Sequence, residues 1–466
     1  MAPFRAWRYS PAAGEPSQLI APPYDVIGPD LRSQLYARSR YNVVRVDLGM
    51  TTPSDNDCDN QYTRAAAQLA DWKKSGILVR DPRPTMTFVE ESFTGPDGRA
   101  GTRHGFLAVI RLYDFDEGVV FPHEYTLSGP KEDRYRLLTA TAMSLSPVFL
   151  LYDLPTDEIT AASKTALANR PPAVTVTDDR GTVTSLWPTE DPDLLDLVGQ
   201  DLATSRFIIA DGHHRYETAL RYQKHRREAA RKAAPGDAGP DETRSGDAGP
   251  DETRSGDAGP GDASYDYALA YLSNMADPGL AVYGTHRLVT GLDAQAVASL
   301  PRTLAGTFSV ERLSAGATGS EAHAAITTYL HEHPRGAFGL WGHVLDGAYG
   351  LELVDCEAVR EAGPGHSPAY QQLDVTILQA LILERTLGIT PADMAAERYV
   401  AFFNDPSEAI HRLEAGEFQA GFFLNPTGLD QIRRVAFGGE RMPQKATFFY
   451  PKLPTGLVFH DLSGRL

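Results

Sequence analysis

The stretch around Asp211 constrains this chain more than any other. Arg206–Phe207–Ile208–Ile209–Ala210 is an apolar run of strand length, and it ends at Asp211–Gly212–His213–His214–Arg215. A helical pattern then runs from Tyr216 to about Ala234. A strand, a glycine turn and a helix in that order set the helix's unpaired N–H groups beside Asp211, both histidines and Arg215. Such an end carries partial positive charge and can hold a phosphate. Arg215 can grip phosphate or carboxylate with two parallel bonds, and histidines move protons near neutral pH. A helix cap with Asp211 as N-cap would be the plainer reading. Capping does not call for five such residues without a gap.

The other segments supply the rest of a mixed α/β chain. At 466 residues two domains are expected, with a first unit to about residue 290 and an α+β unit from 291 onward. Pro22–Pro23 stiffens the backbone ahead of Tyr24–Asp25. Residues 42–48 alternate like a strand, and Tyr62–Lys74 reads as an amphipathic helix. Thr85–Glu91 and Arg103–Leu112 look like hairpin partners around the Gly95–Pro96–Asp97–Gly98 turn. A polar passage, His123–Glu124–Tyr125–Thr126 through Lys131 and Arg134, leads to a helix from Arg136 and a strand over 147–152. Further on, 265–275 and 420–424 read as strands, and 294–300, 320–333 and 375–387 as helices. Between residues 234 and 263 a ten-residue unit, Gly-Asp-Ala-Gly-Pro-Asp-Glu-Thr-Arg-Ser, repeats without aromatic or branched aliphatic residues; a disordered insertion is expected there. The tail over 438–457 sets prolines, paired glycines and two lysines among aromatics, the pattern of a shaped loop able to return to a cleft.

Charge and cysteine usage narrow the partners. The net charge of −17 argues against wide nucleic-acid or membrane binding. Cys58 and Cys356 stand far apart without ligand spacing, no apolar run is long enough to span a membrane, and the first residues lack a signal-peptide pattern. A soluble cytoplasmic protein is expected.

Taken in order, the motifs resemble a known family. Pro22–Ile27, His123–Thr126, Lys131 with Asp133–Arg134, Ser146–Phe149, Ala210–Thr218, Thr285–Arg287, Met442–Lys445 and Phe449–Lys452 match domain-of-unknown-function family 1015 (DUF1015) over nearly the whole chain. The Asp211–Gly212–His214–Arg215 box is also similar to that of free-serine kinases of the ParB/sulfiredoxin-like fold. That resemblance implies a ParB/sulfiredoxin-like core, ATP or ADP as phosphate donor, and Mg²⁺ or a substrate hydroxyl held by Asp211. It also implies an amino acid facing His214 and phosphate on Arg215.

Phosphoryl transfer to a small hydroxy metabolite, free serine first, is the expected chemistry; it needs cations, a positioned nucleophile and a base. The catalytic candidates are Asp211, His213, His214 and Glu124, with Asp211 also the metal candidate and Glu124 the base, Asp25 being the second choice for that role. The substrate and phosphate candidates are Arg215, Lys131, Arg134, Lys445, Tyr24, Asp25, His123, Thr126, Asn274, His286 and Arg287. A phosphatase using His213, or a non-catalytic metabolite sensor, are the alternatives. A metal hydrolase lacks a His-Glu-x-x-His helix, and DNA binding lacks a basic face. No phosphate-binding Gly-x-x-x-x-Gly-Lys loop and no dinucleotide fingerprint occurs.

Overall fold

The fold is mixed α+β, built on two sheets; the computed structural model describes residues 1–126, 128–233 and 263–466. The repeat insertion expected over 234–263 lies almost entirely outside the described residues. The first sheet has eight strands in the order Val120–Pro122, Phe207–Asp211, Val148–Tyr152, Tyr267–Asn274, Ala100–Arg111, Met86–Thr94, Val183–Thr189, Val174–Thr177. Phe207–Asp211 runs parallel to Val120–Pro122, and Tyr267–Asn274 parallel to Val148–Tyr152; the remaining pairs are antiparallel.

Alternation along each strand decides which face each side chain covers. Phe106, Ala108, Ile110, Leu150, Phe207 and Ile209 pack on one side with Tyr216 and Leu220 of the helix His213–Ala233. Leu107, Val109, Phe149, Leu151, Ile208 and Ala210 pack on the other. Both faces are buried, which is why these strands read as unbroken apolar runs. The second core continues without interruption into Phe338, Leu340, Phe422 and Leu424 of a six-stranded antiparallel sheet that begins at His286–Val289. It also takes in Met442, Ala446 and Phe449 of the tail.

The hairpin forms as Met86–Thr94 with Ala100–Arg111, and helix Gln61–Lys74 forms behind an Asn60 cap. Residues 42–48 do not make a strand. Asn42, fully buried, caps Val44 through its side-chain oxygen and donates to Gln18 and Ile20, so Val44–Asp47 closes into a short helix. The helix expected from Arg136 starts earlier, at Ser128, because a proline is tolerated in a first turn. Over 374–386 one α-turn, Asp374–Ile377, widens into π-helical turns, Leu378–Thr386. No helix among the described residues is long and apolar enough to cross a membrane.

Candidate active site

The signature closes on itself through Gly212. Its φ of +87° is a left-handed conformation, and a Cβ there would sit 2.8 Å from the Arg215 side chain. The turn therefore delivers Arg215 back onto Asp211, four residues earlier. Arg215 also donates to the Pro147 carbonyl. The other Asp211 oxygen takes the ammonium of Lys452, which arrives from the tail. Burial alone would raise the Asp211 carboxyl, yet Lys452 and Arg215 outweigh it and hold that carboxyl well below the usual range. Burial lowers Lys452, but Asp211 and Asp25 more than offset it; Asp25 lies 3.9 Å from the ammonium.

The tail reaches this position across the end of strand Val120–Pro122. Met442 donates to the His123 carbonyl at 2.7 Å, and Tyr125 donates back to Met442. Lys445 takes a left-handed φ of 59°, held because its N–H donates to Glu124 at 2.6 Å while its carbonyl accepts from Arg287 at 3.1 Å. Burial raises the Glu124 carboxyl to about 7, against the opposing pull of the Lys445 and Ala446 amides and of the Lys445 and Lys452 charges. Glu124 is thus a carboxyl poised at neutral pH, where a general base works best.

Two histidines meet edge to face beside these groups. His123 is fully buried; its Nδ1 faces the Ile209 carbonyl, so Nδ1 carries the proton, and Nε2 accepts from Thr447 at 2.8 Å. Burial lowers it to about 4. His213 lies with its ring centre 4.8 Å away, and its Nε2 accepts the backbone N–H of His123 at 3.3 Å. Burial and the neighbouring His123 push it well below its ordinary value. Both rings are neutral at pH 7; with Nε2 accepting, His213 carries its one proton on Nδ1.

A second ion cluster lies one helical turn along. Glu217 meets Lys131 at 2.5 Å, accepts from Thr126 at 3.1 Å, and has Arg441 at 3.8 Å. His214 sits between these groups: burial lowers it, with Glu217 and Asp25 opposing and Lys131 and Arg215 adding. Tyr24, raised to about 12 by burial, feels the charges of Arg134, Arg215, Asp25 and Asp211.

The structure brings Asp211, His213, His214, Arg215, His123, Glu124, Thr126, Lys131, Lys445, Tyr24, Asp25 and Arg287 to one end of the first sheet. Three candidates serve elsewhere. Arg134, buried, is held by Asp47 at 2.8 Å and Asp133 at 2.6 Å beneath the Tyr24 ring, so it positions Tyr24. Asn274 is buried and caps the turn after its strand through Leu154, Ala276 and Thr156. His286 packs on Phe423, accepts from Leu424, and is lowered to about 3 by burial.

Lys452, Glu217 and Arg441 are the residues that sequence reasoning missed as site groups. Glu217 stands three residues after His214, a spacing that shares a helix face. Lys452 closes the Phe449–Lys452 motif, but nothing local ties it to Asp211, and Arg441 gave no local signal. Asp211 does not suit Mg²⁺: Arg215 and Lys452 occupy its oxygens, and among the described residues no three ligand-type side chains gather to hold a metal.

Residues 1–376 match the family model described as a protein of unknown function, DUF1015. The chain belongs to that family. No curated protein matches it. Solved structures similar to it include a conserved hypothetical protein from Pyrococcus furiosus, with 14% identity over 75% of this chain and 93% of that one and a TM-score of 0.35. A free serine kinase in complex with AMP has 13% identity over 77% of this chain and 91% of that one, with a TM-score of 0.37. SbnI with a C-terminal truncation, from Staphylococcus aureus, has 10% identity over 77% and 84%, with a TM-score of 0.30. Likeness at this level carries no argument about what this DUF1015 member does.

Proposed function

We propose that this DUF1015 chain transfers a phosphoryl group from a nucleotide to the hydroxyl of a small metabolite, free serine being the first acceptor. One observation carries the reading: Glu124, a carboxyl poised near pH 7, lies within the field of Lys452, which itself grips Asp211 beside Arg215. A base and a set of phosphate-binding cations are the two things the reaction asks of a protein. Arg215, Lys452, Lys131, Lys445, Arg441 and Arg287 outnumber the acids Asp211, Asp25, Glu217 and Glu124, in a chain that is acidic as a whole. In the transfer, the acceptor oxygen forms its bond to phosphorus as the bond to the nucleotide's bridging oxygen breaks. Glu124 takes the hydroxyl proton, and the cations held at Asp211 and Glu217 bear the charge that develops on the phosphoryl oxygens. No step is assigned to a metal.

The test is phosphorus NMR of the full chain with serine, MgCl₂ and ATP or ADP, beside a sample holding phosphoserine alone. A phosphoserine signal that falls by about 10²–10⁴ in rate on Glu124→Gln supports the reading. Phosphate released from phosphoserine without nucleotide would make the protein a phosphatase. Binding of serine without turnover under either condition would leave a sensor.

A further inference from the structure

Arg287 is a buried cation without an acid to neutralise it. It is 3% exposed, and its guanidinium donates to the carbonyls of Thr285 and Lys445, both uncharged, under the ring of Phe402. Among the described residues no carboxylate lies within ion-pair distance of it. The acid that acts on it is Glu124, across Lys445, whose N–H donates to Glu124 and whose carbonyl accepts from Arg287. Burying an unpaired charge is costly, so a guanidinium kept this way favours an anion beside it.

Room for one exists. A cavity of about 260 Å³ is lined by Arg287, Gln379, Leu383, Met394, Phe402 and Gln444. Gln379 and Leu383 come from the π-helical turns of Leu378–Thr386, where Thr386 reaches back five residues to the Leu381 carbonyl. Such turns are rare and recur at functional sites. Lys445, beside Gln444, keeps its left-handed φ with its N–H on Glu124 and its carbonyl on Arg287. The lining mixes polar groups, Arg287, Gln379 and Gln444, with apolar ones, Leu383, Met394 and Phe402. A lone cation with Glu124 nearby suits a monoanion better than a phosphate dianion, for which the cations around Asp211 stand ready.

We propose that this cavity is the carboxylate subsite for a small hydroxy or amino acid, with Arg287 as the group that grips the carboxylate. In assigning the acceptor's hydroxyl to Glu124, it rests on the phosphotransferase reading. Carboxylate bound at Arg287 then leaves the hydroxyl of a short acid directed past Lys445 to Glu124, with the phosphate cations beyond. The acceptor class is therefore an acid with its hydroxyl a few bonds from the carboxylate.

Ligand-observed NMR on the full chain tests this without turnover, using L-serine against L-serinamide and acetate against acetamide. Both carboxylates are expected to bind, with the amides about tenfold or more weaker, the loss expected for one charged hydrogen-bonded contact. Arg287→Met should abolish the preference, and Arg287→Lys should retain part of it. Gln444→Trp, at a half-buried position, should weaken acetate binding with an unchanged circular dichroism spectrum, and it decides the matter should Arg287→Met fail to fold. Equal binding of acid and amide would overturn the proposal. So would no carboxylate binding by about 10 mM, ten times the upper end of ordinary KM values. Displacement of acetate by inorganic phosphate at lower concentration than by L-serine would also overturn it. A chain that binds the acids but makes no phosphoserine would sink the kinase and leave this subsite standing.

Discussion

Replacing Glu124 by glutamine should make the protein more stable at pH 8 and leave it unchanged at pH 4. Burial raises the Glu124 carboxyl from 4.5 to about 7. A raised carboxyl contributes stability that is fully present below 4.5, where both folded and unfolded chains carry the proton, and that is lost as pH climbs through about 7. At about 1.4 kcal/mol per pH unit, the gap corresponds to about 3 kcal/mol. Its side chain is 18% exposed, too little for water to screen most of this. Glutamine keeps the shape and still accepts the Lys445 N–H, but it cannot ionise.

The stability difference between variant and wild type, read from urea unfolding at several pH values, should therefore rise from near zero at pH 4 to about 3 kcal/mol at pH 8. The difference is the right quantity because His123, next in sequence, acts in the opposite sense over nearly the same range. Lowered by burial from 6.5 to about 4, it gives stability present above 6.5 and lost as pH falls toward 4. In the wild type the two partly cancel. Parallel curves for the two proteins would refute the argument, and with it the case for Glu124 as a base poised near neutrality.

His123→Gln should remove the acid-side loss, flattening the fall in melting temperature between pH 6.5 and 4; an unchanged slope would mean that His123 charges freely in the fold. Lys452→Met should cost about 1–3 kcal/mol in urea unfolding, because Asp211 keeps Arg215 but loses a charged partner, and should abolish turnover. Wild-type turnover in that variant would remove Lys452 from the site. Arg103→Met should cost about 3–5 kcal/mol, since it strands Glu91 in a pair that is fully buried on both sides. Adding Glu91→Met should recover part of that in a double-mutant cycle, and a single-variant cost below about 1 kcal/mol would contradict the burial. Arg103 also donates to the Tyr450 and Pro451 carbonyls, so its loss should lower turnover by loosening Lys452.

What the sequence disclosed follows from what is local. Strand Phe207–Asp211, the Gly212 turn and the helix after it are set by neighbours within a few residues, and so is the hairpin around Gly95–Gly98. The mixed α+β class follows from such pieces. Residues 42–48 misled because three buried valines suit a strand or a helix equally, and only Asn42, reaching back to Gln18 and Ile20, decides between them. Arg134 and Lys131 look alike in sequence, three apart on one helix. Asp47, distant in the chain, takes the first, whereas Glu217 takes the second at the site. The pairing of Lys452 was the least legible, since it sits 241 residues from its partner Asp211, on a tail whose Tyr450 and Pro451 carbonyls Arg103 holds.

These pairings bear on how such a site would work. Lys452 and Arg215 rest on Asp211, and Lys131 rests on Glu217 with Arg441 close by. Each cation able to hold a phosphoryl oxygen in these two clusters is held by an acid of the protein. Incoming phosphate must displace or share those acids, so part of its binding energy goes into breaking buried pairs. The cations are then already desolvated and aimed, which lowers the reorganisation left for the transition state. Arg287 is different, lacking an acid to displace. A carboxylate entering its cavity gains the full interaction, so the acid end of the acceptor should bind first and more tightly than its phosphate counterpart. Equilibrium binding of acetate and inorganic phosphate to the same protein sample ranks the two directly, and tighter phosphate would reverse the order of events deduced from the pairing.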